Sequence, residues 1–163
     1  MKKIKELIPY ILIITLVILI RTFIITPVRV DGPSMEDTLE NGDILLLQKF
    51  NDNYQRFDIV VLNYNNEKLV KRIIGLPGEK VAFIDNKLYI NGKEIDEPFL
   101  THKTENFSMR DIGVDVIPSD SYFVVGDNRE NSLDSRYIGL IKKSDIDGVV
   151  VFRLFPLKTA GKL

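Results

Sequence analysis

The chain has 163 residues, enough for one domain with its own core plus a tail or an anchor. It contains no cysteine, so disulfides, cysteine nucleophiles and thiolate zinc sites are excluded. The formal net charge of −1 conceals a basic N-terminus, because residues 30–163 carry 22 acids against 17 bases, a net charge of about −5. An acidic folded part argues against nucleic acid as a partner, since phosphate binding requires a basic surface.

The first element is a nearly continuous apolar run from Leu7 to Ile25, interrupted near its end by Arg21. As a helix it would measure about 28 Å at about 1.5 Å per residue, close to the thickness of a hydrocarbon core. Lysines precede the run, and the positive-inside rule then predicts a cytoplasmic N-terminus. We therefore predict a cytoplasmic N-terminus and membrane anchor over residues 1–26, and an extracytoplasmic domain over residues 27–163.

Two other interpretations of the apolar run are a cleaved signal peptide and a buried core helix. A cleaved signal peptide would show a small-x-small site after the run, but residues 21–30 contain no such pair. A buried core helix would show a recurring polar face, and none recurs in this segment. A single membrane-spanning helix therefore remains the prediction.

Beyond the anchor, short apolar runs alternate with turn residues. Asp85-Asn86 and Asn91-Gly92 are hairpin signals, and the polar residues 96–119 are expected to form a mobile excursion. The predicted strands are residues 26–30, 43–47, 57–62, 68–74, 81–84, 87–90, 93–95, 122–125 and 148–154. With no helical period outside the anchor, we predict a mainly β fold: an antiparallel β-sheet domain on a single N-terminal transmembrane helix.

A serine and a lysine stand out in this domain. Ser34 follows a Gly-Pro bend, where a serine is ordinarily a turn residue whose hydroxyl caps the backbone. Lys71 shares a strand face with Leu69 and Ile73, and apolar neighbours lower the pKa of a lysine by disfavouring its charged form. A neutral amine could act as the base that activates a serine, whereas the alternative is a strand-edge lysine in water.

A dense group of charges lies in Gly126–Arg136, directly after an apolar run. The segment could be a solvated loop whose ion pairs contribute little. It could instead brace a site, with Ser132 orienting the amine as the third member of a catalytic group. The one histidine, His102, lies in a polar segment, and a solvated loop position explains it more simply than a Ser-His-Asp triad.

Taken in order, these segments resemble the type I signal peptidases, membrane-anchored serine proteases that remove signal peptides from exported proteins. The matching motifs are Ser34-Met35 with Thr38-Leu39, the run Lys71–Glu79, and the segment Gly126–Arg136 followed by Gly139. The order, the spacing and the N-terminal run agree as well. The resemblance covers essentially the whole chain.

The resemblance implies roles for individual residues. Ser34 would be the nucleophile, and its backbone N–H would hold the oxyanion. Lys71 would be the general base, and Ser132 would hold its amine in place. A structural charge network would comprise Arg72, Asp127, Arg129, Asp134 and Arg136, with an Arg72–Asp127 pair. No metal and no cofactor are expected.

The resemblance also implies a substrate, an extended chain with small residues at the first and third positions before the cut. Period-2 geometry explains that spacing, because alternate side chains of an extended peptide face the same surface. The candidates for shallow apolar pockets are Val30, Met35, Leu39, Leu69 and Val70. The expected partners are signal peptides of exported preproteins, the lipid bilayer and the protein translocation channel, and the expected location is the cell membrane.

Two positions bear on how efficiently such a site would work. Gly32 stands where the family carries serine or glycine, so it offers no hydroxyl. Asp37 stands where proline is common, and an acid there could favour the charged form of Lys71 unless its side chain points away.

Two rival functions differ in class. A self-cleaving Ser-Lys repressor protease would carry a DNA-binding module and no anchor, and a silent tethered binding module would lack the Ser34 or Lys71 identity.

Overall fold

The computed structural model describes residues 2–23, 25–49 and 53–163. Helix α1 (Lys2–Phe23) comes first, and the side chains of residues 7–17 within it are all exposed. Within these described ranges, no helix is both long enough and apolar enough to cross a membrane. The predicted crossing over Leu7–Ile25, which includes the undescribed residue 24, is therefore not confirmed.

The rest of the described chain is mainly antiparallel β-structure, as predicted. The elements in chain order are β1 (Ile25–Arg29), β2 (Ile44–Gln48), β3 (Ile59–Tyr64), β4 (Glu67–Gly75), β5 (Val81–Ile84), β6 (Lys87–Ile90), β7 (Lys93–Ile95), β8 (Phe107–Ser108), β9 (Ser121–Val125), α2 (Ser135–Ile138), β10 (Ile141–Lys142), β11 (Ile146–Phe155) and β12 (Gly161–Lys162). The long predicted strands are confirmed, and so are the short strands β5, β6 and β7, which hairpin turn signals mark. The elements α2, β8, β10 and β12 were not predicted, because two to four residues without such turn signals show no measurable period.

The larger sheet carries the site. Its strand order is β1-β2-β11-β3-β4-β9-β10, with β12 paired to β11. Strand β4 lies between β3 and β9, and Lys71 pairs with the buried Val60 of β3. Pairing with β9 begins only at Arg72, so the first half of β4 has one free edge. Lys71 is therefore the last residue of β4 before the strand gains a neighbour on its second side.

The smaller sheet has the order β7-β6-β5-β8 and packs on the larger one through a shared core. Its hairpins turn at Asp85-Asn86 and Asn91-Gly92, and all four residues have positive φ, as two-residue turns between twisted strands require. These two predicted hairpins are confirmed.

Residues 96–119 were predicted to be an excursion, but the structure packs them. Phe107, Met109 and Ile117 belong to the core between the sheets, and Phe99 packs against that core. A 3-10 turn over Met109–Ile112 is closed by a capping box of Ser108 and Asp111. The polar composition concealed apolar residues spaced widely enough to show no period.

Candidate active site

The loop between β1 and β2 carries Ser34 and is built by its own turns. Gly32 has a φ of 94°, a left-handed conformation that glycine adopts without strain, and its N–H donates to Asn41 Oδ1 at 3.2 Å. The N–H of Leu39 donates to the Met35 carbonyl at 2.7 Å. Met35 and Leu39 are both fully buried, so the residues on each side of the turn anchor Ser34 to the core. We call residues 31–39 the serine loop.

The Lys71 amine lies directly against the serine. Its Nζ donates to Ser34 Oγ at 2.6 Å, and the lysine is only 2 % exposed. Burial lowers the pKa of Lys71 from 10.5 to about 8, while the negative charges of Asp134 and Asp127 oppose that shift and the positive charge of Arg136 adds to it. A substantial fraction of the amine is therefore neutral just above neutral pH. In that form it can accept the proton of a hydroxyl within hydrogen-bond reach.

Ser132 differs from its predicted role. Its Oγ is buried and has no hydrogen-bond partner among the described residues, so no bond to the Lys71 amine is present. Gly126 explains the arrangement, because a Cβ at that position would overlap both Ser132 Oγ and the Ser34 carbonyl oxygen. Ser132 therefore packs close to the serine loop, while the amine donates to Ser34 instead.

The predicted charge network is present as contacts. Arg72 binds Asp127 through two hydrogen bonds, Nε to Oδ1 at 2.8 Å and Nη2 to Oδ2 at 2.5 Å, and both side chains are buried. Asp134 accepts from the Gly126 N–H and from Arg136. Such charge-assisted, paired bonds hold planar groups in a defined orientation.

Arg129 completes this network and extends it beyond the predicted residues. It donates to the Gly126 carbonyl at 3.1 Å and to Thr104 Oγ1 at 2.7 Å. Its guanidinium also pairs with Glu97, and neither charged group is more than slightly exposed. The network therefore ties the segment after β9 to residues 97–104.

Sequence reasoning missed Asn128. Its backbone N–H donates to the Ser34 carbonyl at 3.1 Å, and its Nδ2 donates to Glu36 Oε2 at 3.3 Å. These bonds join the serine loop to the segment after β9 at Ser34 and at Glu36. Its place inside the Gly126–Arg136 motif was the one signal that could have identified it.

Asp37 points away from the amine. Its exposed carboxylate accepts a hydrogen bond from Thr101 Oγ1 and lies 3.4 Å from His102 Nε2. The Thr101 bond holds the pKa of Asp37 below its usual range. Asp37 is not among the charges that shift the pKa of Lys71, so this departure from the family pattern does not favour the charged amine.

The predicted pocket residues divide into two groups. Met35, Leu39, Val30 and Val70 are buried together in one core cluster, so in this structure they lie beneath the surface and do not line an open pocket. Leu69 borders an open groove of about 610 Å³. The groove is lined by residues of β1, the start of the serine loop and early β4, among them Pro27, Val28, Asp31, Lys68 and Leu69.

A metal site is not indicated by this geometry. In the part of the chain that the structure describes, no group of three histidine, aspartate or glutamate side chains is arranged to hold a metal ion. The candidate site consists of the Ser34 hydroxyl, the buried Lys71 amine and the surrounding hydrogen bonds.

The family model described as "Signal peptidase, peptidase S26" matches residues 4–155. Signal peptidase I of Bacillus amyloliquefaciens is 43 % identical over 162 residues, covering 93 % of this chain and 88 % of the relative. Signal peptidase IB of Staphylococcus aureus is 37 % identical, covering 93 % and 91 %. A crystal structure of a signal peptidase I from Enterococcus faecalis superposes with a TM-score of 0.57 at 38 % identity, covering 60 % of this chain and 97 % of that one.

This chain belongs to the signal peptidase family, peptidase S26. It is accordingly a hydrolase of the protease class.

Proposed function

We propose that this protein is a membrane-anchored serine endopeptidase that removes signal peptides from exported preproteins, cutting after small-x-small sites with a Ser34/Lys71 dyad. The observation that carries the proposal is the 2.6 Å distance between Lys71 Nζ and Ser34 Oγ in a buried setting. The names of its relatives, among them Signal peptidase I, support the substrate class.

In the proposed reaction, Ser34 Oγ attacks the scissile carbonyl carbon while neutral Lys71 takes the hydroxyl proton. The tetrahedral oxyanion is held by the Ser34 N–H. The lysine then gives its proton to the leaving amine, the C–N bond breaks and an acyl-enzyme remains. Water then attacks the ester carbonyl carbon while the same amine takes a proton from it. The resulting tetrahedral intermediate collapses as its bond to Ser34 Oγ breaks. This step releases the new carboxyl end, and Lys71 returns the proton to Ser34 Oγ.

The substrate would lie in the groove between β1 and early β4. β4 lacks a strand partner on one side before Arg72, so an extended peptide could add to that side as a further strand. The Leu69 side chain gives this groove an apolar border, two residues before Lys71 on β4. An extended chain in contact with such a border presents alternate residues to it, which supports the requirement for small residues two apart.

Cleavage of a synthetic signal-peptide substrate in detergent tests the proposal. We expect cutting after an alanine that ends a small-x-small pattern, and no cutting by Ser34→Ala. Replacing the alanine before the cut with phenylalanine should reduce kcat/KM by about 10²-fold or more, since a bulky group that displaces the carbonyl disturbs the reacting geometry. Equal rates for the two peptides would contradict the substrate assignment, and full activity of Ser34→Ala would contradict the mechanism.

Location at the cell membrane is part of the proposal. Residues 7–17 of α1 expose apolar side chains throughout, which favours contact with lipid, and basic residues precede them. The bilayer would then be a partner, with the cytoplasmic N-terminus on one side and residues 27–163 outside, near the translocation channel that delivers preproteins.

A protease-accessibility experiment tests this topology. Protease added to intact spheroplasts should remove a C-terminal tag and leave an N-terminal tag protected. The tags should exchange their sensitivity in inside-out vesicles. Protection of the C-terminal tag until the cells are lysed would contradict the proposed orientation.

A further inference from the structure

Residues 97–104 contact three segments that surround the candidate site. We call these residues the strap. Glu97 and Thr104 bind the buried Arg129, and Thr101 donates to Asp37 of the serine loop. Between these contacts, Phe99 lies on Arg72, the partner of Asp127. The strap therefore contacts the serine loop, strand β4 and the segment after β9.

The contact between Phe99 and Arg72 is a stacked cation and ring. The Arg72 Cζ lies 3.8 Å from the centroid of the Phe99 ring, well within the range of a cation–π interaction. The Phe57 ring packs edge-on against Phe99 at 5.1 Å, and the Phe57 carbonyl accepts from Arg72 Nη1 at 2.9 Å. The guanidinium is thus fixed by a carboxylate, a carbonyl and a ring face.

We propose that Phe99 is a positioning residue of the proposed peptidase, which holds Arg72 against Asp127 so that the positive charge of Arg72 offsets part of the effect of Asp127 on the Lys71 amine. The proposal rests on the proposed function for its catalytic readout only. Phe99 acts through Arg72, whose guanidinium its ring covers.

The electrostatic consequence follows from the charges around the amine. Asp127 and Asp134 favour protonated Lys71, and Arg136 disfavours it. Arg72 offsets Asp127 only while its guanidinium stays in the paired geometry. Without the Phe99 ring, the Arg72 side chain can move and water can reach the Arg72–Asp127 pair. The positive charge of Arg72 then offsets less of the negative charge of Asp127. The pKa of Lys71 then rises, and a higher pH is needed to obtain the neutral base.

The test compares Phe99→Leu with Phe99→Tyr. Leucine keeps the apolar cover but removes the ring face, whereas tyrosine keeps the ring. We expect the acidic limb of the kcat/KM profile to move to higher pH by about 0.5–1 unit in Phe99→Leu, since a partner charge near a buried amine shifts its pKa by this order. Phe99→Tyr should retain the wild-type limb, and so should Phe155→Leu, which alters an exposed phenylalanine at the end of β11. If Phe99→Leu does not fold, Phe99→Met gives the same comparison.

Titration of the lysine Cε resonances by NMR gives a readout that does not depend on catalysis, with Lys71 assigned by its loss in Lys71→Arg. A higher Lys71 pKa in Phe99→Leu supports the inference even if the wild type cuts no signal peptide, an outcome that would overturn the proposed function alone. An unchanged Lys71 pKa, or a loss of kcat/KM by the same factor at every pH, would mean that Phe99 only stabilises the fold and would overturn the inference.

Discussion

We expect the replacement of Lys71 with arginine to abolish signal-peptide cleavage, although the positive charge and the approximate size of the side chain are kept. The amine is proposed to act in its neutral form, and a guanidinium stays protonated in proteins. We expect kcat to fall by at least about 10³-fold, the upper part of the range attributed to a general base. Cleavage rates of a synthetic signal peptide, measured at saturating substrate, give this value directly.

Arg56→Lys is a matched control for charge and length, because Arg56 pairs with Glu79 away from the serine. It should cleave at close to the wild-type rate. Far-UV and near-UV circular dichroism of Lys71→Arg must match the wild type for its inactivity to report on chemistry. Substantial turnover by a folded Lys71→Arg enzyme would show that this amine is not the base.

Replacing Gly126 with alanine should impair cleavage almost as severely without removing any catalytic group. The new Cβ would overlap the Ser34 carbonyl oxygen and Ser132 Oγ, so the serine loop must move. A displacement of the nucleophile by about 1 Å can cost about 10²-fold in rate. Overpacking should also lower the free energy of unfolding by about 1–3 kcal/mol, to be measured by urea denaturation.

The matched control for this change is Gly161→Ala. A Cβ at Gly161 meets no atom within 4 Å, and its φ lies outside the left-handed region. This variant should keep both activity and stability. A Gly126→Ala enzyme with wild-type kcat would show that the serine loop tolerates a shift, and the close packing around Ser34 would then not matter for catalysis.

Most strands of the two sheets were predictable, because the residue pattern of a short segment is enough to indicate a strand or a hairpin turn. The apolar run at Leu45–Leu47 and the hairpin residues Asn91-Gly92 carry their own evidence, and the structure agrees with both. The charge partners Arg72 and Asp127 followed from the family resemblance, and the structure pairs them. Such features depend on residue type and spacing, which a sequence displays.

Features that depend on long-range packing could not be predicted. Phe99 reaches Arg72 only because residues 96–119 fold back over the site, and their polar composition gave no sign of it. Met35 and Leu39 were assigned to a pocket although they lie in the core, because apolar character does not distinguish a pocket wall from its support. Ser132 was expected to hold the amine, but a hydroxyl rotamer depends on its neighbours, here Gly126 and the Ser34 carbonyl.

If neutral Lys71 activates Ser34, the pH dependence of kcat/KM should follow the titration of the Lys71 amine. Desolvation places the pKa of Lys71 at about 8, so activity should rise about tenfold per pH unit below that value and level off above it. His102→Ala should leave the curve unchanged. A profile already flat from about pH 6, or an acidic limb near the ordinary histidine pKa of about 6.5 that disappears in His102→Ala, would contradict the account.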